Sequence, residues 1–489
     1  MRAAALAALA LLPAALRAQP PAPLDAADSA LVGRILLAED RRDSTDTALA
    51  EGARHADARV RLLARRARAR IADPRFAARD AFPALPAPPA WPEPAWRLRY
   101  RALAARRDDC AALGTAMADS AWPVRLRAAD LAGPACAGDD ALVATLRAWV
   151  DSLPADVSRR APDGVSWHAA AHAVVALARL HPAEARERVA RLAAHPEWHL
   201  RLYAARAALE LRDTARLRAL ARDANDNVVE AALVALDSLT GHASDDLYLA
   251  ALGRGGAQAV RAAALALVGS PRADVRDSAG AVFERWAARD IASARDARLA
   301  LLEAAGRPAS DDRPPTPRIE LPPRAVALAL GGDAWLRVTM APGSGGGAFV
   351  VRLRGDVAPI MAARILALAD GGYYDELTWH RVEPDFVIQG GSPGDNEYVG
   401  HARYLRDELG TVPHLRGTVG MSTRGHDTGD AQWFVNLKDN PRLGRDYTVF
   451  AEVVRGIDVV DGILEGDAIV TIREVPAPRA DGPASRPPR

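Results

Sequence analysis

Tyr374-Asp-Glu-Leu-Thr-Trp-His-Arg-Val-Glu-Pro-Asp-Phe-Val-Ile-Gln-Gly-Gly-Ser-Pro393 is the densest run of chemistry-bearing residues in this 489-residue chain. Within it a guanidinium at Arg381 is followed by an aromatic ring at Phe386 and an amide at Gln389. Taken alone, Arg381 reads as a surface ion-pair partner, since the chain carries 63 Lys and Arg residues and Lys438 is its only lysine. The company of Phe386 and Gln389, and of a second block further on, favours a site. The segments around this run share one grammar. Residues 326–330, 335–340, 349–353, 418–421, 433–435, 448–453 and 468–472 are short, apolar or β-rich, and divided by Gly and Pro turns, as strands are. Residues 359–370 read as a helix with Pro359 near its first turn. Several short strands with few helices predict a closed or sandwiched β domain. The glycine cluster at 343–347 precedes no Gly-Lys-Ser/Thr, so it reads as a hairpin loop and not a phosphate cradle. His380 is expected to pack or face away from Arg381. Asp407 and Glu408 are adjacent on an extended segment and so face opposite ways, which argues against a hydrolase pair.

Upstream the vocabulary changes. Residues 311–325 are polar and proline-rich and read as a linker between a domain at 19–310 and one at 326–475. From Leu24 to Gly306 apolar positions recur every three or four residues, the helical period. Stretches beginning at Trp122, Trp198, Asn227, Ala259 and Asp274 resemble one another. Aligned on Leu200, Val228, Val260 and Val275 they step by 28, 32 and 15 residues, and the last reads as a truncated end unit. A helical hairpin cannot bury its own apolar stripe, so such units stack, and pairs such as Ala231-Ala232 and Ala262-Ala263 let them approach closely. The polar turn at Asp223, Asn225 and Asp226 is placed to cap the helix that follows. The pattern is similar to HEAT-like repeats, which makes 19–310 an all-α array. Residues 81–96 cannot be helical through their prolines and read as an extended, solvent-facing connector. His168 and His172 have the spacing of two metal ligands on a helix but core-like neighbours. Arg65, Arg66, Arg68 and Arg70 read as a solvated helix face.

The whole chain is 49% apolar and 26% charged with a formal net charge of +1, which excludes a fully disordered chain and a nucleic-acid binder driven by bulk charge. The 347–475 region holds 20 acidic and 13 basic residues, net −7, against +4 for 19–346, a difference that favours contact between the halves. Residues 1–18 read as a signal peptide: Met1-Arg2, an Ala/Leu run to Leu12, Pro13, and Ala18 before a possible cut. That run is too short to span a membrane, and no other stretch is a candidate integral membrane segment. The expected location is therefore extracytoplasmic, periplasmic or secreted, with 476–489 a disordered tail. In an oxidising compartment Cys110 and Cys136 are free to pair, although two separate buried thiols fit equally.

Three blocks in order, Val357-Ala-Pro with Gly372-Tyr-Tyr374, the run 374–393, and Arg416-Gly-Thr-Val-Gly-Met-Ser with Asp430-Ala-Gln-Trp-Phe-Val-Asn, Asn440-Pro-Arg-Leu and Tyr447-Thr-Val-Phe, resemble the cyclophilin family of peptidyl-prolyl isomerases, in its bacterial branch. The resemblance implies an eight-stranded β barrel capped by two helices, with the site on its outer face. It implies Arg381 as the catalytic arginine, and Phe386, Val387, Phe434 and Leu443 as a proline pocket. Gln389 and Gln432 are implied as orienting amides, Ser422 and Thr423 as the peptide-backbone contact, and Tyr447 at a position often tyrosine in bacterial members. The resemblance, not periodicity, brings Gln432 and Phe434 to one site. Val387 stands where methionine is usual and Thr423 where asparagine is. Trp433 adjoins the pocket in place of phenylalanine, and Arg424 and His426 decorate the loop beside it.

These residue types suit the reaction. Resonance sets a barrier of about 18–20 kcal/mol to twisting a prolyl amide, and no covalent bond breaks, so no nucleophile, metal or cofactor is needed. A guanidinium directed at the prolyl nitrogen or its neighbouring carbonyl favours the twisted state over both planar isomers. The expected partners are proline-containing peptides and unfolded or flexible proteins, with a further protein partner possible on the helical repeats. The rival reading makes the repeats the working part and the barrel a weak peptide clamp.

Overall fold

The computed structural model describes residues 24–74, 86–153, 157, 167–289, 291–313, 320–342 and 346–478. The expected signal peptide, most of the tail, and parts of the linker, the proline-rich connector and the glycine cluster lie outside these residues.

Helix pairs stack from Ala95–Leu103 onward. One layer is made by Trp122–Leu131, His168–Leu180, Trp198–Glu210, Asp226–Thr240, Ala257–Ala266 and Arg295–Ala304, each packed on the next. Alanine makes this possible: Ala204, Ala205, Ala207 and Ala208 are buried, as are Ala262, Ala263 and Ala264. Asn225 caps its helix by accepting from the Asn227 amide at 2.9 Å. The helix Asp274–Ala287 belongs to the other layer, against Arg295–Ala304. The 15-residue step therefore marks a change of layer and not a truncated unit. Cys110 and Cys136 are joined in a disulfide across 26 residues, which in the chain-entropy picture stabilises by about 3 kcal/mol.

Nine antiparallel strands follow: β1 Trp335–Met340, β2 Ala348–Leu353, β3 Thr378–Trp379, β4 Arg381–Val382, β5 Val387–Gly390, β6 Thr418–Met421, β7 Trp433–Asn436, β8 Val449–Arg455 and β9 Asp467–Val475. Their order is β3-β9-β1-β2-β8-β6-β7-β5-β4. The two ends of that order are consecutive in sequence, separated only by His380, so the sheet is a nearly closed barrel. The count is nine where eight were expected because the extended run 378–382 breaks at His380, its halves pairing with β9 and β5. Pro359–Asp370 is a helix with proline in its first turn, as read from sequence. Residues 326–330 are not a strand: Ala325–Ala329 is a helical turn, in keeping with its alanines and leucine.

The halves are interlocked. The first three helices, Ala26–Arg41, Thr47–Ala53 and Ala58–Ala72, share one core with the barrel, in which Leu31, Ile35 and Leu63 join Phe349, Trp379 and Phe450. Arg66 and Arg70, expected on a solvated face, are buried there. Both bind Glu39, and Arg70 also donates to the carbonyls of Val357, Glu408 and Leu409. Arg65 and Arg68 are exposed. The described part of the connector is largely exposed, as expected, but it is pinned to the barrel at Trp91. Trp91 lies over Gly417, whose φ of +87° and missing Cβ admit the indole, and it donates to Val453 O at 3.2 Å. Arg97, with no exposed side-chain surface, donates to the carbonyls of Pro384 and Leu437 and to Asp461.

Removing one member of such a buried set leaves the others unpaired. Arg97→Met is therefore expected to lower the free energy of urea unfolding by about 3 kcal/mol; a change under about 0.5 kcal/mol would refute the role assigned to it. Glu408 accepts from the first amides of the helix Pro359–Asp370, at Ile360 and Met361, and burial pushes its carboxyl from 4.5 up to about 7. A raised folded-state value means stability that is full below pH 4.5 and lost as pH rises through about 7. The stability of Glu408→Gln relative to the wild type should therefore climb across that window by up to about 3 kcal/mol. A difference flat in pH would contradict it.

Candidate functional site

Strand pairing builds the site. On β4 and β5 Arg381 stands opposite Gln389; on β5 and β7 Gln389 stands opposite Phe434; on β6 and β7 Phe434 stands opposite Gly420. One row of side chains thus crosses four strands, with neighbours at the spacing of paired residues. Gly420 decides the end of that row. A Cβ there would lie 2.3 Å from Phe434 Cζ, so the ring lies flat on β6 only because glycine is beneath it.

Phe434, Val387 and Leu443 form a small apolar cluster outside the barrel core, with Phe386 and Tyr447 packed against it. The Tyr447 ring meets Phe434 edge-on at 5.6 Å, and His414 stacks on Phe434 at 5.8 Å. Asn436 Nδ2 lies 3.1 Å from His414 Nδ1, so Nε2 carries the proton donated to Tyr447 O, and burial lowers the imidazole pKa and keeps the ring neutral. Leu443 comes from the short turn Pro441–Leu443. The hollow at these residues, about 90 Å³, is lined by Arg381, Phe386, Val387, Gln389, Glu397, Ser422, Thr423, Phe434, Leu443 and Tyr447. Every site residue named from sequence except Gln432 lines it.

Gln432 stands behind it. Its side chain accepts from Gln389 Nε2 at 3.1 Å and donates to Val399 O at 2.9 Å, while Gln389 Oε1 faces Arg381 Nη1 at 3.5 Å. Donation runs in one direction, from the guanidinium through the two amides to the loop at 397–399. Ser422 N–H is engaged by Gln432 O at 2.9 Å, whereas the Thr423 peptide group makes no hydrogen bond among the described residues. Trp433 does not adjoin the hollow. Strand alternation turns it inward, between Trp379 and Tyr374 in the barrel core, while Phe434 turns out. Arg424 is engaged with Asp296 and with Ser293 O on the helical array, and His426 with Asp407.

Two contributors were not read from sequence. Glu397 reaches Arg381 Nη1 at 3.4 Å, with Glu383 further off at 4.0 Å. Its loop is held to the array: Asn227 donates to Gly394 O at 3.0 Å, Asn396 donates to Asn227 Oδ1 at 3.1 Å, and Arg261 covers Tyr398. The other is Gly420, whose only signal was its place in the block Thr-Val-Gly-Met. His168 and His172 are engaged with Glu465 O and Asp130, and no metal-type cluster occurs among the described residues. His380 is buried, and burial lowers its pKa to about 3.

The family model "Cyclophilin type peptidyl-prolyl cis-trans isomerase/CLD" matches residues 337–479. A peptidyl-prolyl cis-trans isomerase of Helicobacter pylori is 35% identical over 119 residues, 24% of this chain and 73% of that protein. Peptidyl-prolyl cis-trans isomerase B of Bacillus subtilis is 35% identical over 120 residues, 24% of this chain and 84% of that one. A solved cyclophilin-type isomerase from Cryptosporidium parvum covers 30% of this chain and 100% of its own, at 22% identity and a TM-score of 0.28.

Gly420→Ala is expected to lift the Phe434 ring and cost about 1–3 kcal/mol of stability through overpacking. A crystal structure of the variant with Phe434 unmoved would contradict that account of the glycine.

Proposed function

The chain belongs to the cyclophilin family of peptidyl-prolyl cis-trans isomerases, and from that premise we propose that its barrel isomerises X–Pro bonds at the hollow beside Arg381. The observation that carries this reading is the row Arg381–Gln389–Phe434, set side by side by strand register over an apolar hollow. The proline ring sits against Phe434, Leu443 and Phe386, and the preceding carbonyl swings past it. Arg381 donates to the amide as it twists, where the nitrogen regains its lone pair. Apolar walls keep water from competing for that hydrogen bond. The free Thr423 peptide group holds the substrate backbone, so the change from asparagine matters little there.

Arg381 keeps 35% of its side-chain surface exposed, and its contacts with Glu397 and Glu383 are of the exposed kind, worth about 0–1 kcal/mol. It therefore turns to substrate at little cost, while Gln389 limits how far it swings. Clients are proline-containing segments of unfolded or flexible proteins. The Cys110–Cys136 disulfide favours an oxidising compartment, consistent with export directed by residues 1–18. The stacked helix pairs support a HEAT-like scaffold.

A coupled proline-isomerisation assay tests the reading: Arg381→Ala is expected to lower kcat/KM about 10²–10³-fold, the range for losing one preorganised donor. Equal rates for the two proteins would leave the barrel as a peptide-binding module only.

A further inference from the structure

The prolyl hollow does not end at Arg381. On its far side a cleft of about 680 Å³ runs between the barrel and the helix layer that begins at Trp122–Leu131. Arg381 and Glu397 line both spaces, so hollow and cleft adjoin at this pair. The barrel side is formed by 380–384, 395–398 and 464–465; the opposite side by helices Trp122–Leu131, His168–Leu180, Trp198–Glu210 and Asp226–Thr240.

Two features point to an occupant, an uncovered apolar strip and an uneven charge. Val234 is left 57% exposed beside Leu202 and Ala231, a strip without a cover. The charge of the cleft is lopsided. Its lining carries six carboxyl groups and three arginines, and two of the arginines, Arg127 and Arg206, lie over the rings of Tyr100 and Tyr203. Glu230 makes no hydrogen bond or ion pair among the described residues; burial pushes its carboxyl up to about 7.

We propose that this cleft holds the extended segment of the client chain that leaves the prolyl hollow past Arg381 and Glu397, and that it selects segments with apolar and basic side chains. The proposal rests on the isomerase reading and deepens it: the helical array becomes part of the substrate site, and an unfolded chain is recognised over several residues beyond the X–Pro pair.

The test uses the full chain and three peptides: a blocked tetrapeptide with a central X–Pro bond, and the same core extended by about eight residues rich in Leu and Arg on either its N- or its C-terminal side. Isomerisation is followed by NMR exchange and binding by fluorescence anisotropy. One of the two extensions is expected to bind about tenfold tighter than the tetrapeptide and to raise kcat/KM similarly. In Val234→Arg, an exposed position, the ratio of extended to short should fall toward one, with Glu230→Gln reducing it in part; unchanged thermal midpoints would exclude misfolding. Equal Kd for all three peptides, or a ratio untouched by both substitutions, overturns the proposal. Tighter binding of one extended peptide without turnover of any would sink the isomerase reading and leave the cleft standing.

Discussion

On a closed barrel every outward side chain has sequence neighbours that must point inward, and the site hangs on that alternation. β7 is the clearest case. Trp433 and Val435 fill the interior while Phe434 between them lies outside. A slip of one residue would drive the indole, wedged between Trp379 and Tyr374, into water and the Phe434 ring into a full core. The outward position of Phe434 is therefore secured by its inward neighbours, and strand register carries that certainty across to Gln389 and Arg381. The hollow follows from that alternation, and its Phe434 wall rests on Gly420, which offers no side chain.

The helices do more than accompany the barrel. Arg97 and Arg101 grip the turn between β4 and β5, at Pro384 O and Asp385, beside Phe386. Asn227 and Asp296 hold the loops that carry Glu397 and Arg424. Buried guanidinium groups bound to backbone carbonyls are suited to this, since one planar fork satisfies several acceptors that would otherwise be stranded at an interface. Both rims of the hollow are thus steadied by the array, and the excess of positive charge upstream of the barrel ends in contacts with its acidic surface.

Legibility followed the range of the interaction. Trp335–Met340 and Pro359–Asp370 were readable to the residue, because period and proline placement are local. Residues 326–330 misled, since a run of Ala, Val and Leu serves a helix turn or a strand alike. Val275 was aligned with its look-alikes, yet its helix lies in the other layer; alanine-rich helices repeat one another whichever layer they occupy. Arg66 and Arg70 read as solvated because nothing local announced the carbonyls and Glu39 that would surround them.

What lies in the chain's own order of residues is the chemistry: a guanidinium, an apolar ring pocket and two amides in a recurrent spacing, on strands marked by their alternation. Folding settled what those residues face. Trp433 turned into the core, Gln432 became a support behind Gln389, Glu397 came to Arg381 on a loop held by the array, and a cleft opened where two distant halves meet. Periodicity states which residues share a face, but the partner of that face is chosen by contacts between segments hundreds of residues apart, and no local pattern encodes them.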